Sequence, residues 1–141
     1  MPGQPCPCQS TLDYAYCCQP FHTGEQTALT AEALMRSRYS AYALKQIDYL
    51  MTTTHRDHPQ YQKNTALWRK VMNDYCNNTH FLGLTIVQHE PGDTEASVTF
   101  KATLSQNGHT FVLAEKSRFK KIGRRWLYHS GITTVETAPS S

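Results

Sequence analysis

Apolar positions change their period near residue 79, dividing the main body of the chain into helices followed by strands. Ala31, Leu34, Met35, Tyr39 and Tyr42 recur at steps of one, three and four, which places them on one side of a helix. Thr30 is its expected N-cap, and Glu32 in the first turn suits the positive end of the helix dipole. A short second helix is expected from Asp48, carrying Tyr49, Leu50 and Met51. His55 to Tyr61, with Pro59 and two histidines, reads as a loop. Asn64 then caps a third helix whose expected apolar face is Leu67, Trp68, Val71, Met72 and Tyr75.

Beyond Asn77-Asn78 the pattern alternates. Leu82, Leu84 and Ile86 form one apolar row, and Glu90-Pro91-Gly92-Asp93 supplies turn chemistry. Val98, Phe100, Ala102 and Leu104 form the next row, closed by Gln106-Asn107-Gly108. Phe111, Leu113, Glu115, Ser117 and Phe119 share a face of the third strand, and Ile122-Gly123 turns into a fourth, Trp126 to Thr134. The expected fold is α+β, with three helices packed on a curved four-stranded antiparallel sheet. Residues 1–24 show no sustained period, so the chain divides into 1–24, a domain over 25–136 and a polar tail, 137–141.

The leading segment carries the strongest chemistry. Cys6, Cys8, Cys17 and Cys18 fall within thirteen positions, four of the chain's five cysteines. Met1-Pro2-Gly3-Gln4 has neither the cationic start nor the apolar run of a signal peptide. The expected compartment is therefore the cytosol, where clustered thiols serve more often as metal ligands than as disulfides. Zinc takes four soft ligands in a tetrahedron, and two close pairs can each supply one edge. A disulfide pair is an alternative that a reducing cytosol disfavours, and a redox site would more usually show Cys-x-x-Cys. Structural Zn2+ is the leading reading, with His22 as a reserve ligand. Cys76, alone in an apolar helical stretch, reads as an inert buried thiol.

Cys6-Pro7-Cys8, eight residues, then Cys17-Cys18 resembles the SEC-C motif, a short zinc-binding segment known from the preprotein translocase ATPase. Ser10 and Tyr14 also match, whereas Gln9 and Thr11 stand where that motif usually has glycine. Further on, Cys17-Cys18-Gln19-Pro20-Phe21-His22 and the string from Thr30 to Tyr42 resemble the YchJ family of small bacterial proteins. Glu115-Lys116-Ser117-Arg118-Phe119 and Arg125-Trp126-Leu127-Tyr128 extend the likeness. Thr54-His55-Arg56 departs from a usual Trp-His-Pro, and Lys116 replaces a usual arginine. The resemblance implies a nuclear transport factor two-like fold, a curved sheet and helices enclosing a cone. It supplies no catalytic residue.

A cone offers a cavity, and Glu115 is the polar exception on an otherwise apolar strand face. A carboxylate there needs a partner, and Arg36 or Arg38 is the expected one. Glu115, one of these arginines, Tyr39 and His55 are expected to line the pocket mouth. Three readings of Glu115 stand side by side: a structural ion pair, a ligand-binding group, and a catalytic acid or base.

Charge selects little. Four thiolates and one divalent ion lower the formal +3 by two, leaving scant electrostatic drive toward nucleic acid. Lys116, Arg118, Lys120, Lys121, Arg124 and Arg125 form a cationic run that reads first as a solvated sheet edge and second as an RNA contact. No apolar run reaches the roughly 20 residues a membrane-spanning helix needs. The leading functional expectation is a non-enzymatic adaptor docking a protein partner through the knuckle. By resemblance that partner belongs to the translation or export machinery. The alternative is a small-molecule binder or enzyme using Glu115 and His55, and pairing of two copies through the sheet is compatible with either.

Overall fold

The computed structural model describes residues 4–137. The first three residues of the N-terminal start and positions 138–141 of the expected tail lie outside them. A 3-10 turn, Tyr14–Tyr16, precedes helices α1 (Gln19–Thr23), α2 (Ala31–Leu44), α3 (Ile47–Thr52) and α4 (Thr65–Asn77). Strands β1 (His80–Glu90), β2 (Glu95–Gln106), β3 (His109–Ile122) and β4 (Arg125–Thr137) follow. They pair in sequence order as one antiparallel sheet. The architecture is α+β, as the change of period implies. No helix is long and apolar enough to cross a membrane among the described residues.

Local chemistry explains the element ends. Thr30 accepts a hydrogen bond from the Ala33 N–H and Asn64 from the Leu67 N–H, each satisfying a donor that a helix start leaves free. The β2–β3 turn places Asn107 and Gly108 at φ 53° and 79°, the left-handed pair that matches the twist of a tight hairpin. Bulges in β1, between Phe81 and Gly83 and between Ile86 and Gln88, sharpen its curvature.

The concave side of the sheet meets α2. Leu34, Met35 and Tyr39 pack in one core with Val98, Phe100, Ala102, Leu104, Phe119 and Trp126. Burying a side chain such as Leu34 is worth roughly 1.5–3 kcal/mol. Ala41, Ile47, Leu50 and Met51 form a second cluster with Trp68, Met72 and Cys76. The buried stripe of α4 is therefore Trp68–Met72–Cys76, whereas Leu67 and Val71, expected in that face, are each half exposed. Steps of four keep one row against α3, and the flanking row faces outward or toward the cavity. Burial pushes the Cys76 thiol up to about 11, so it stays protonated and inert at neutral pH.

The leading segment is more ordered than its lack of periodicity implies. Pro20 stands in the first turn of α1, and Gly24 at φ 86° closes it. The Cys6 N–H donates to Leu12 O and the Tyr14 N–H to Gln4 O, folding the segment back on itself. Cys6, Cys8 and Cys18 belong to the same core as Leu34 and Tyr39, so the knuckle is packed on the sheet-and-helix body.

Candidate functional site

The four cysteines meet at the junction between the knuckle and α2. Their sulfurs lie within 4.8 Å of one another, with Cys8–Cys17 at 3.6 Å and Cys17–Cys18 at 3.9 Å. Tetrahedral ligation with bonds of about 2.3 Å requires sulfur–sulfur edges of roughly 3.8 Å, so this donor set suits a divalent ion such as zinc. Without an ion the thiols compete for one negative charge. A bond from the Cys18 thiol holds Cys8 well below its usual pKa, and that same bond, joined by burial, drives Cys18 up. Burial is the main cause that raises Cys17. A divalent cation offsets the repulsion that keeps this cluster from ionising fully.

Surrounding groups aim the cage. Ser10 Oγ sits 3.1 Å from Cys17 Sγ. Gln9 and Thr11 adopt φ of 68° and 75°, so the loop takes the conformation favoured by glycine with non-glycine residues. Arg36, expected at the pocket, instead sends Nη1 to the Cys8 carbonyl at 2.8 Å and Nε to Glu32 at 3.2 Å. Its position on α2, two residues before Arg38, turns it toward the knuckle rather than the sheet. His22, the reserve ligand, has both ring nitrogens engaged. Tyr14 Oη donates to Nδ1 at 2.6 Å, and Nε2–H donates to Ser37 O at 2.8 Å. Burial lowers its pKa, which keeps the ring neutral in that relay. His22 thus braces the cage against α2 instead of entering it.

The second site is a cavity of about 580 Å³ between the helices and the concave sheet face. Met35, Tyr39 and Tyr42 of α2 form its roof, Phe100 and Leu104 part of its floor, and Trp68 and Tyr75 one wall. Glu115 is its carboxylate. Ser117 Oγ and Tyr128 Oη donate to Oε2, the latter at 2.9 Å, and Thr133 Oγ1 donates to Oε1 at 2.9 Å. Hydroxyls, not an arginine, satisfy Glu115. Burial, followed by the charge of Glu115, pushes the Tyr128 phenol far up, so it stays a donor.

Arg38 does line the cavity, but its Nη1 is committed to Leu50 O, Thr53 Oγ1 and Thr54 Oγ1, and its guanidinium lies 4.8 Å over the Tyr128 ring. The expected Arg–Glu pair is therefore replaced by a chain in which Tyr128 stands between the two charges. Tyr39 reaches the cavity with its ring, and its buried Oη lies against the Gly83 backbone. His55 does not line it. Its backbone N–H donates to Tyr128 O at 2.8 Å, pinning the loop to the edge of β4, and its ring packs on His129. His58, three residues later, takes the cavity position, 4.8 Å from the Tyr128 ring.

Sequence reasoning missed Tyr128, Thr133 and Gly131. Counting back from the turn, where Ile122 faces Arg125, would set Ile132 opposite Glu115. A bulge between Arg118 and Phe119 adds one residue to β4 and brings Thr133 there instead. Gly131 faces Ser117, where a Cβ would lie only 2.5 Å from Glu115 Oε2 and 2.7 Å from Tyr128 Oη. The missing side chain makes room for the carboxylate network.

The cationic run is partly matched by acids on other strands: Lys116 lies 3.7 Å from Glu90 and Lys120 3.6 Å from Glu95. Lys121 covers the Trp126 ring, and Arg125 donates to Thr52 O. That sheet edge is a mixed-charge surface.

Comparison with known proteins agrees with this arrangement. Residues 30–131 match the family described as YchJ, middle NTF2-like domain. A UPF0225 protein of Actinobacillus succinogenes is 44% identical over 125 residues, covering 87% of this chain and 78% of that protein. The solution structure of a SEC-C motif containing protein from Rhodopseudomonas palustris superposes with a TM-score of 0.81 at 31% identity, covering 92% of this chain and 98% of that one. A crystal structure of a SEC-C motif containing protein from Psychrobacter arcticus gives 0.76 at 32% identity, over 90% and 81% of the two chains. With the cysteine cage, the curved sheet and a match over most of its length, the chain belongs to the YchJ family.

Proposed function

We propose that this protein binds a small, largely apolar molecule in its cone, anchored through a hydrogen-bond donor to Glu115, while a zinc ion in the cysteine cage staples the N-terminal segment to α2. One observation carries the reading: a cavity of about 580 Å³, within the roughly 300–1,000 Å³ typical of ligand sites, walled by aromatic rings and holding one carboxylate among hydroxyl donors. Zinc is the ion of choice because a closed shell of four thiolates suits it and leaves no open position for chemistry. A thiolate cage persists where thiols stay reduced, which fits the cytosol.

The test is a fragment screen by ligand-observed NMR on the metal-loaded protein. Flat apolar fragments bearing an amine, amide or phenol donor are expected to bind, at least tenfold more weakly to Glu115→Gln. Binding that ignores this substitution, or no binding across the set, contradicts the proposal.

A second reading, docking of a protein partner through the knuckle, draws on Tyr16, which is 82% exposed and directly precedes Cys17. By resemblance that partner comes from the translation or export machinery. Tyr16→Ser abolishing capture of a defined partner, with Glu115→Gln leaving it intact, would support docking over the cone. The paired acids on β1 and β2 weigh against RNA contact along the cationic run.

A further inference from the structure

Outside the cage and the cone, one more group of metal-ligating side chains converges among the described residues. His55, Asp57 and His129 each bring a donor atom within 4.8 Å of the others. The backbone builds this meeting from two directions. The His55 N–H donates to Tyr128 O and the Tyr128 N–H to Thr53 O, both at 2.8 Å, so the loop after α3 is fastened to the edge of β4. His129 is the residue that the β4 bulge leaves unpaired: Arg118 faces Ser130, and Phe119 faces Tyr128. Bulges re-aim side chains, and this one brings the His129 ring to 5.0 Å from that of His55, edge to face.

We propose that His55, Asp57 and His129 form a second binding site, for a single divalent first-row transition ion, separate from the cysteine cage. Two imidazoles and a carboxylate suit zinc, cobalt, nickel or iron(II) and make a poor site for magnesium or calcium. Bonds of about 2.0–2.1 Å in a tetrahedron require donors roughly 3.4 Å apart, so no separation has to close by more than about 1.4 Å. Asp57, whose side chain is well exposed, is free to make that movement, and His55 Nδ1 gives up the Asp57 N–H it now accepts at 3.0 Å in order to ligate. His55 is buried and fixed, which gives the site a rigid side. Three protein ligands leave at least one position for water, unlike the closed cage. Lys120 and Arg118 bear on His129 and oppose a cation, so this site is the weaker of the two.

The experiment uses tag-free, full-length protein carrying one equivalent of zinc, titrated with Co2+ by calorimetry and visible absorption. A second equivalent is expected, without the thiolate charge-transfer band that would mark exchange into the cage. Asp57→Asn and His129→Gln should each weaken it at least tenfold, with unchanged thermal unfolding, while His109→Gln on the far hairpin leaves it intact. A total of one equivalent, or a second that binds all variants alike, overturns the proposal. His55 and His129 would then be an ordinary packed pair, with Asp57 closing the turn.

Discussion

The guanidinium of Arg36 donates to the backbone carbonyl of Cys8 at 2.8 Å, joining the second turn of α2 to the first pair of cage cysteines. Cys8 is wholly buried, so this bond holds a ligand-bearing loop whose carbonyl has left water. Arg36→Ala should cost about 1–2 kcal/mol of stability, read as a Tm lower by roughly 5 °C. It should also hasten zinc loss to a chelator. Unaltered Tm and release would mean the loop is held by the cage alone.

Thr11 and Gln9 test strain in the same loop. A left-handed backbone costs an ordinary residue roughly 1–2 kcal/mol, and glycine returns part of that as unfolded-chain entropy. Thr11→Gly, with φ of 75° and a β-branched side chain removed, is expected to raise stability by about 0.5–1 kcal/mol in urea unfolding. A loss of stability would show that the Thr11 side chain makes a contribution larger than the strain it bears.

Tyr39 predicts an alkaline limb of the stability curve. Burial raises its pKa to about 12 from the ordinary value of 10, so folding favours the neutral phenol. That contribution is complete below pH 10, and it is lost as pH rises from 10 through 12. Unfolding free energy across this window should fall less steeply for Tyr39→Phe, which at neutral pH costs about 1 kcal/mol, the ordinary net worth of one hydroxyl contact. Equal slopes for the two proteins would contradict the assignment.

Gly131→Ala probes the carboxylate network without touching a polar group. Its new Cβ crowds Glu115 Oε2 and Tyr128 Oη, and the flexible carboxylate end is what must yield. Fragment affinity is expected to drop at least tenfold while Tm changes by only a few degrees. Retained affinity would place the ligand elsewhere in the cone.

Much of this was written in short-range patterns. Thr30 and Asn64 announce helix starts because capping is local, and Asn107-Gly108 announces a hairpin because few residues tolerate its backbone. The cage was equally legible, since its ligands sit within thirteen positions. Long-range registry was not. The β4 bulge moves Thr133 opposite Glu115 and lifts His129 out of the ladder, and no local residue preference marks it. Helical periodicity placed Arg36 and Arg38 on one helix but could not say that one faces the knuckle and the other the sheet. His55 carried a plausible side chain for the cone, yet its backbone bond to Tyr128 turns it to the outer edge and leaves His58 in its place.

Central to this account is a ligand seated in the cone against Glu115. A crystal structure of the zinc-loaded protein with the tightest-binding fragment tests it most directly. The predicted result is density between α2 and the sheet, with a donor within hydrogen-bond reach of the Glu115 carboxylate. Density confined to the knuckle surface around Tyr16, with the cone filled only by solvent, would contradict it.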